Sequence, residues 1–524
     1  MSRILLLRPP SVFSATAYSA AVTMPIALAY LSAALREKGH LVDNIDALGE
    51  GLDHIAVSYG PNVRYRGLSN AQIVARMKAL PRPDALGITC MFSQDWPHVE
   101  DMIGAIHAEF PELPIILGGE HATAAAEYVL TSCPAVKYIA LGEGEETVVD
   151  FADYLQNRKT IDKVDGVWWR ADDGTVVKNP ARARVRTPDQ LPWPAWDLFD
   201  LDPFFKTGEG HGVERGRSMA LVATRGCPYQ CTFCSNPLMW TTRYVMRDPA
   251  KVVDEIEYYV KKYKADNIDF FDLTAIIKKD WTVKFCDEVK KRGLKFTWQL
   301  PSGTRSEALD YETLKLMAES GCMNLTYAPE SGSDDILDYI KKRVKLDRLY
   351  DSIKSAKKNG IFVKCNLIIG FPKETRRDMW KTVWAAIRFA FIGVDDTGLY
   401  PYSPYPGSEL YEYLLSSGAI KKMDRGYFEG LMTFMDLSQT VNYCEKVGAR
   451  EIAFYRLFGM CSFYGLSYLM HPSRIARSWA NYKAHRSDTV FEERLFALLR
   501  RRRMERASKS PDGASASSVA ANSL

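Results

Sequence analysis

The chain has 524 residues, of which 47% are apolar and 25% charged, which is the balance of a globular protein and excludes a fibrous or wholly disordered one. Its 68 Lys and Arg against 64 Asp and Glu leave a formal charge of +4, so charge supplies no footprint for nucleic acid. The length exceeds what one hydrophobic core serves, and about three structural units are expected. The ten cysteines form no even, closely spaced framework, which fits a reducing cytoplasm. The apolar run Ile4–Leu7 is too short for a secretory signal. No stretch reaches the roughly 18 uncharged apolar residues of a membrane span.

In chain order, short apolar runs at Ile4–Leu7, Leu41–Ile45, Ala85–Thr89, Ile115–Leu117 and Tyr138–Ala140 read as buried strands. Helical patterns at Ile26–Lys38, Asn70–Leu80, Trp96–Phe110 and Ala122–Leu130 lie between them. This alternation predicts a doubly wound parallel sheet over residues 1–160, with ligands at the carboxyl ends of the strands. Residues 161–215 read as a hairpin around Asp172-Asp173-Gly174 and a Pro-rich linker. The apolar stretch Leu191–Trp196 predicts that this linker packs on a domain. A second series follows over 216–420. Its strands are expected at Met219–Ala223, Ile268–Phe271, Phe296–Leu300, Asn324–Ala328, Val363–Ile369 and Thr397–Tyr400. Helices between them complete about six βα units, a partial barrel with its active residues at the strand carboxyl ends. Residues 421–505 turn helical and aromatic, and 506–524 are small, polar and expected to be disordered.

The most specific signal is Cys227, Cys231 and Cys234 in the spacing C-x3-C-x2-C, directly after the first strand of the second series. A [4Fe–4S] cluster normally takes four Cys ligands. Three leave one iron open to a small molecule, as an open catalytic zinc site does. A structural zinc would want a fourth Cys or His at short spacing, and none follows Cys234.

The triad and the motifs behind it resemble the radical S-adenosylmethionine (SAM) superfamily. Those motifs are Phe270-Phe271-Asp272, Leu300–Arg305, Ala328-Pro329-Glu330-Ser331-Gly332-Ser333, Gly370-Phe371-Pro372-Lys373-Glu374-Thr375 and Pro406-Gly407-Ser408. The resemblance implies that the open iron binds SAM and that its reductive cleavage yields a deoxyadenosyl radical. It further implies that Phe233, Asp272, Arg305, Glu330 and Ser331 surround SAM. Glu330 reads equally as a salt-bridge residue, and Asp272 as a helix N-cap.

The first domain resembles the cobalamin-binding module that precedes the barrel in one large subclass. Asp46-Ala47-Leu48-Gly49-Glu50-Gly51 follows the module's D-x-H-x-x-G pattern with Leu48 in the His slot, and Leu cannot ligate cobalt. Asp46, Leu48, Thr89, Met91, Gly118, Gly119 and Glu120 are the residues the resemblance assigns to cobalamin. Gly142–Thr147 is a further segment of the subclass. A flavodoxin-like domain with a vestigial site is the other reading.

The implied enzyme is cytoplasmic and carries a [4Fe–4S] cluster, SAM and cobalamin. It methylates an unactivated carbon of a hydrophobic or natural-product substrate. A cobalamin-dependent cyclase or ring-rearranging enzyme, and a radical SAM enzyme without cobalamin, are the alternatives. Flavodoxin or ferredoxin is the expected electron donor, and no nucleic acid is expected. The aromatic stretch Phe454–Met470 and the arginines behind it read either as a cap on the barrel or as a helix at a membrane interface.

Overall fold

The computed structural model describes residues 1–17, 22–207, 210–305, 308–493, 495, 496 and 499. The tail expected to be disordered and the arginines 500–503 lie outside them.

The first sheet has seven strands in the spatial order Val176–Lys178, Val167–Arg170, Tyr138–Ala140, Ile115–Gly118, Ala85–Thr89, Arg3–Arg8, Leu41–Asp46. The last five are mutually parallel. The pleat sorts one apolar run between two cores. Ile4 and Leu6 face Leu28, Leu35, Val148 and Phe151 of the helices Ile26–Glu37 and Glu145–Leu155. Leu5 and Leu7 face Ile73, Met102, Ile106 and Val129 of helices on the opposite side. Being buried on both faces is why these strands read as continuous apolar runs.

Three features differ from the expectation. The hairpin of the connecting segment does not stand apart, because Val167–Arg170 pairs antiparallel with Tyr138–Ala140 and completes the first sheet. The helix expected over Ala122–Leu130 is two, Glu120–Ala124 and Ala126–Ser132, broken at Ala125 with φ −119° and ψ 28°; a run of alanines carries helix propensity but no mark of a break. A small antiparallel sheet of Ser11–Ser14, Ile55–Val57 and Val63–Arg66 left no clear alternation in the sequence.

The second sheet has six parallel strands in sequence order, Ser218–Leu221, Asn267–Phe270, Thr297–Thr304, Cys322–Glu330, Phe362–Ile369 and Asp396–Pro401. Helices on their outer face bury Val252, Ile256, Phe285, Leu314, Ile353 and Phe389 against them. This is the (β/α)6 arrangement of a partial barrel. Register shifts interrupt pairing between Leu300 and Gly303 and between Tyr327 and Glu330. They fall at strand carboxyl ends, where bulges re-aim side chains.

The long helix Ala449–Met470 packs against the barrel, with Ile452 beside Gly370 and Arg456 on the last strand. It lies parallel to Arg376–Ile392 on the outside: Arg376 pairs with Glu451, the Trp380 ring meets Tyr455, and His471 reaches the Ala390 carbonyl. Its buried Arg456 donates to the carbonyls of Leu399, Thr433 and Asp436. The segment that does approach the first domain is Arg425–Met435, whose Tyr427, Phe428 and Leu431 join the core beneath the first sheet.

The linker packs as its composition indicates. Trp196 is 1% exposed, and its indole N–H donates to the Tyr259 hydroxyl at 2.9 Å, which in turn donates to Glu255. Trp196→Ala should lower stability by about 3–5 kcal/mol, the usual cost of emptying a buried aromatic site. The expected readout is a lower urea midpoint for the second domain's transition.

Candidate active site

The loop of the three cysteines is held from four sides. Beneath it, Asp272 at the end of the second barrel strand accepts hydrogen bonds from the Ala223 N–H at 3.2 Å, the Thr224 N–H at 2.5 Å and the Thr224 hydroxyl at 2.6 Å. Burial pushes the Asp272 carboxyl up to about 6, against the pull of these donors. Asp272 is therefore not a helix cap; the helix that follows begins only at Lys279. From the barrel side, the Thr232 N–H donates to the Ile340 carbonyl, and the Thr232 carbonyl accepts from the Leu410 N–H.

The other two attachments come from the first domain. Arg225, two residues before Cys227, is buried between Glu143 at 3.1 Å and Glu145 at 2.5 Å. Burial opposes its charge, but Glu145 and Glu143 hold the guanidinium above its ordinary range, while Arg225 outweighs burial and lowers Glu145. Glu143 also receives Arg184 Nε at 2.7 Å and the Val185 N–H at 2.9 Å. Beyond the third cysteine, the Ser235 hydroxyl donates to Glu120, whose carboxyl burial raises. No single residue in Gly142–Thr147 marked it as the partner of Arg225. The available signal was an arginine in an otherwise apolar entry to the cysteine loop, because a buried arginine requires acidic partners.

The three thiols share this loop without closing on one point: among the described residues, no three His, Cys, Asp or Glu side chains stand together at metal-ligating separation. All three are free of disulfides. Burial pushes Cys234 up to about 12, and Cys231 is raised by burial in spite of Lys342 nearby. Three soft donors with unfavourable thiolates are a set that a thiophilic metal cluster would satisfy, since metal binding is what makes a buried thiol give up its proton.

The remaining residues expected at SAM sit around the same barrel end. Glu330 has φ 70° and accepts from Lys342 Nζ at 2.9 Å. Burial lowers the Lys342 ammonium, but Glu330 and Cys231 more than restore it. Arg305 lies over the Tyr229 ring at 3.7 Å and donates to the Arg343 carbonyl. Phe233 packs on Phe371 at 5.9 Å between centroids. The Ser331 hydroxyl is buried against Thr382 at 3.0 Å. Glu374 is fully buried, and one of its oxygens accepts from the Gly370 and Phe371 N–H groups at 2.6 and 3.1 Å.

The residues expected at cobalamin line the carboxyl end of the first sheet. Thr89 closes the strand Ala85–Thr89 and Met91 lies just beyond it, while Gly118 closes Ile115–Gly118 and Gly119 follows. Gly119 has φ 106°, and a Cβ there would stand 2.5 Å from the Cys90 carbonyl oxygen, so only glycine permits this close crossing. Asp46 is occupied by both Arg8 Nε, at 2.6 Å, and Arg8 Nη2, at 2.8 Å, and by the Gly49 N–H at 3.1 Å. Leu48 is buried. His98 and His121 are buried here, and burial lowers them to about 4 and about 3. Gln94 Oε1, Trp96 Nε1, His98 Nε2 and His121 Nε2 have no hydrogen-bond partner. Four orphaned polar atoms at one end of the sheet fit a polar ligand there, because buried polar groups are otherwise almost always paired.

Comparison with known proteins agrees with this layout. Residues 221–383 match the radical SAM superfamily and residues 15–152 the B12 binding domain. Cytidylyl-2-hydroxyethylphosphonate methyltransferase of Streptomyces wedmorensis is 30% identical over 76% of this chain and 79% of its own length. An uncharacterized methyltransferase of Pyrococcus horikoshii is 28% identical over 80% of this chain and 85% of its own. The anaerobic magnesium-protoporphyrin IX monomethyl ester cyclase of Rubrivivax gelatinosus is 27% identical over 66% of this chain and 61% of its own. Among solved structures, the radical SAM methyltransferase TsrM of Kitasatospora setae superposes with a TM-score of 0.61 at 17% identity, over 80% of this chain and 77% of its own. The cobalamin-dependent radical SAM enzyme OxsB superposes at 0.60 and 19%, over 82% of this chain and 56% of its own. An α/β fold that pairs these two domains defines a cobalamin-dependent radical SAM enzyme. The chain belongs to that family.

Two outcomes follow for the frame around the cysteines. Arg225→Met should destabilise the protein by about 3–5 kcal/mol, because it strands two buried carboxylates. Adding Glu143→Gln and Glu145→Gln should recover a large part of that loss, and paired urea titrations check both. Burial pushes the Glu374 carboxyl up to about 8. A carboxyl raised in the folded state contributes stability that is full below its unfolded value, about 4.3, and is lost as pH climbs towards 8. The stability of the native chain relative to Glu374→Gln should therefore fall across that window, measured from urea midpoints at each pH.

Proposed function

We propose that this enzyme transfers a methyl group to an unactivated carbon of a small-molecule substrate. The observation that carries the reading is the double attachment of the cysteine loop to the first domain, through Arg225 with Glu143 and Glu145 and through Ser235 with Glu120. It brings the carboxyl ends of both sheets, where each domain's ligands belong, against one another. Radical chemistry and methyl delivery need that adjacency, since the two cofactors and the substrate must touch. The relatives from Streptomyces and Pyrococcus and a hopanoid C-3 methylase from Methylococcus capsulatus, 23% identical over 63% of this chain, are named for methyl transfer and support the same reading.

In this assignment Cys227, Cys231 and Cys234 hold a [4Fe–4S] cluster on three irons. When bound, the cluster with SAM supplies a hydrogen-abstracting deoxyadenosyl radical and cobalamin supplies the methyl carrier. The protein's own part is binding and exclusion. Phe233 offers an apolar face to the adenine. Arg305 and the Glu330–Lys342 pair would supply charge to hold the amino-acid group of SAM. Asp272 and Ser331 are already satisfied by neighbouring groups, and they fix the loops that make the contacts. Gly118, Gly119, Thr89, Met91 and Glu120 would hold cobalamin at the end of the first sheet, and Leu48 would offer it no cobalt ligand. Asp46, locked to Arg8, holds the turn that carries Leu48. Reduction calls for an external one-electron donor of the flavodoxin or ferredoxin type.

The similarity to the cyclase of Rubrivivax favours a second reading, cobalamin-dependent radical chemistry without net methyl transfer. Anaerobically reconstituted protein given SAM and dithionite should release deoxyadenosine and show corrinoid absorbance after cobalamin loading. Cys231→Ala should reduce deoxyadenosine to background. Absence of deoxyadenosine from the native chain would overturn the radical assignment. Retention of the label from methyl-labelled SAM in a product separates methyl transfer from cyclisation.

A further inference from the structure

The outer flank of the barrel carries an apolar surface that the proposed chemistry does not use. On the helix Arg376–Ile392, Trp380, Trp384 and Phe391 are exposed, Trp384 by 63%. Their spacing of four and seven places them on one side of the helix. The parallel helix Ala449–Met470 exposes Phe454, Leu457, Phe458, Leu469 and Met470, Leu469 by 74%. The two stripes are continuous, with the Trp380 ring 5.5 Å from Phe458 and Phe458 stacked 5.6 Å from Phe454. The next helix, Ser473–Lys483, adds Ile475 and Trp479, Trp479 by 59%. At 1.5 Å per residue the stripe from Trp380 to Phe391 is about 17 Å long on the helix Arg376–Ile392 alone.

Its charge is one-sided. From Ile452 to Ser487 the sequence has no Asp or Glu. The acid at the head of the long helix, Glu451, is paired with Arg376. Exposed cations flank the stripe at Arg377, Arg388, Lys483 and Arg486, and Lys483 lies over the Trp479 ring. After Asp488, Glu492 and Glu493 the sequence reaches the four arginines 500–503. Among the described residues, no helix is long and apolar enough to cross a membrane.

We propose that this flank docks on an anionic lipid bilayer, with the aromatic and aliphatic side chains inserted at the headgroup level and the cations on the lipid phosphates. Exposed tryptophans flanked by Lys and Arg, with the neighbouring acids Asp335 and Glu451 already paired to Lys381 and Arg376, are the chemistry of an interfacial surface. A protein partner matched to this patch would need an acidic rim of its own, whereas an anionic bilayer supplies negative charge everywhere around an apolar interior. The buried core of the long helix, where Arg456 is bonded to the barrel's last strand, leaves the outer stripe free to insert without unfolding the site. The surface is independent of the residues assigned to the cofactors.

The test is co-sedimentation of the full chain with vesicles of phosphatidylcholine alone and with added phosphatidylglycerol. The native protein should bind the anionic vesicles, release them as salt rises, and shift its tryptophan emission to the blue. Trp384→Ser with Leu457→Ser should weaken binding by about tenfold or more, with an unchanged melting transition and unchanged deoxyadenosine release in the absence of vesicles. Lys483→Glu with Arg486→Glu should abolish the preference for anionic vesicles and leave folding intact. The proposal is overturned if native protein ignores both vesicle types. It is equally overturned if both variants bind as the native chain does, or if the patch instead forms a dimer that Trp384→Ser with Leu457→Ser dissolves.

Discussion

Everything at the reactive end of this molecule depends on a guanidinium buried between two carboxylates. Arg225 belongs to the barrel and Glu143 and Glu145 to the first sheet's domain. All three are nearly shielded from water. Desolvating such a group costs about as much as the pairing returns, so its value is geometric rather than a gain in stability. A charged triad in a dry interface has one good arrangement and many poor ones. Because Arg225 is two residues from Cys227, that arrangement sets the pose of the cysteine loop against the end of the first sheet.

Around this centre, buried acids repeatedly fasten loops by taking backbone N–H groups. Asp272 holds residues 223 and 224, Glu374 holds 370 and 371, and Asp46 holds Gly49. Asp436 of the C-terminal region fastens the first domain through side chains instead, accepting the Ser14 hydroxyl at 2.5 Å and the Thr16 hydroxyl at 2.6 Å. Each staple replaces a water-exposed turn by a fixed one, and the chemistry expected here demands a floor that excludes water. The orphaned atoms of Gln94, Trp96, His98 and His121 are the opposite case: a region left polar and unpaired where a ligand belongs.

The first sheet was legible because a strand buried on two faces has to be a continuous apolar run, as Ile4–Leu7 is; the barrel strand Phe362–Ile369 was legible by alternation instead, with Val363, Cys365, Leu367 and Ile369 buried and Lys364 and Asn366 between them. The three cysteines were legible because ligand spacing is a local property. The interdomain contacts were not: Glu143 and Glu145 read as members of a motif, and only tertiary structure brings Arg225 to them. The small sheet of Ser11–Ser14, Ile55–Val57 and Val63–Arg66 was missed because its strands are short and mixed in polarity. Glu330 and Asp272 each had two readings, and both carboxylates turn out to be engaged by the protein itself.

The Arg225 triad also restricts how this protein can be rebuilt from parts. A first domain taken from a relative would have to present two acids at the positions of Glu143 and Glu145, or the transplanted barrel would carry a naked buried cation beside its cysteines. The two halves fit as a matched pair: a rebuilt protein keeps this interface only if Arg225, Glu143 and Glu145 are carried over together.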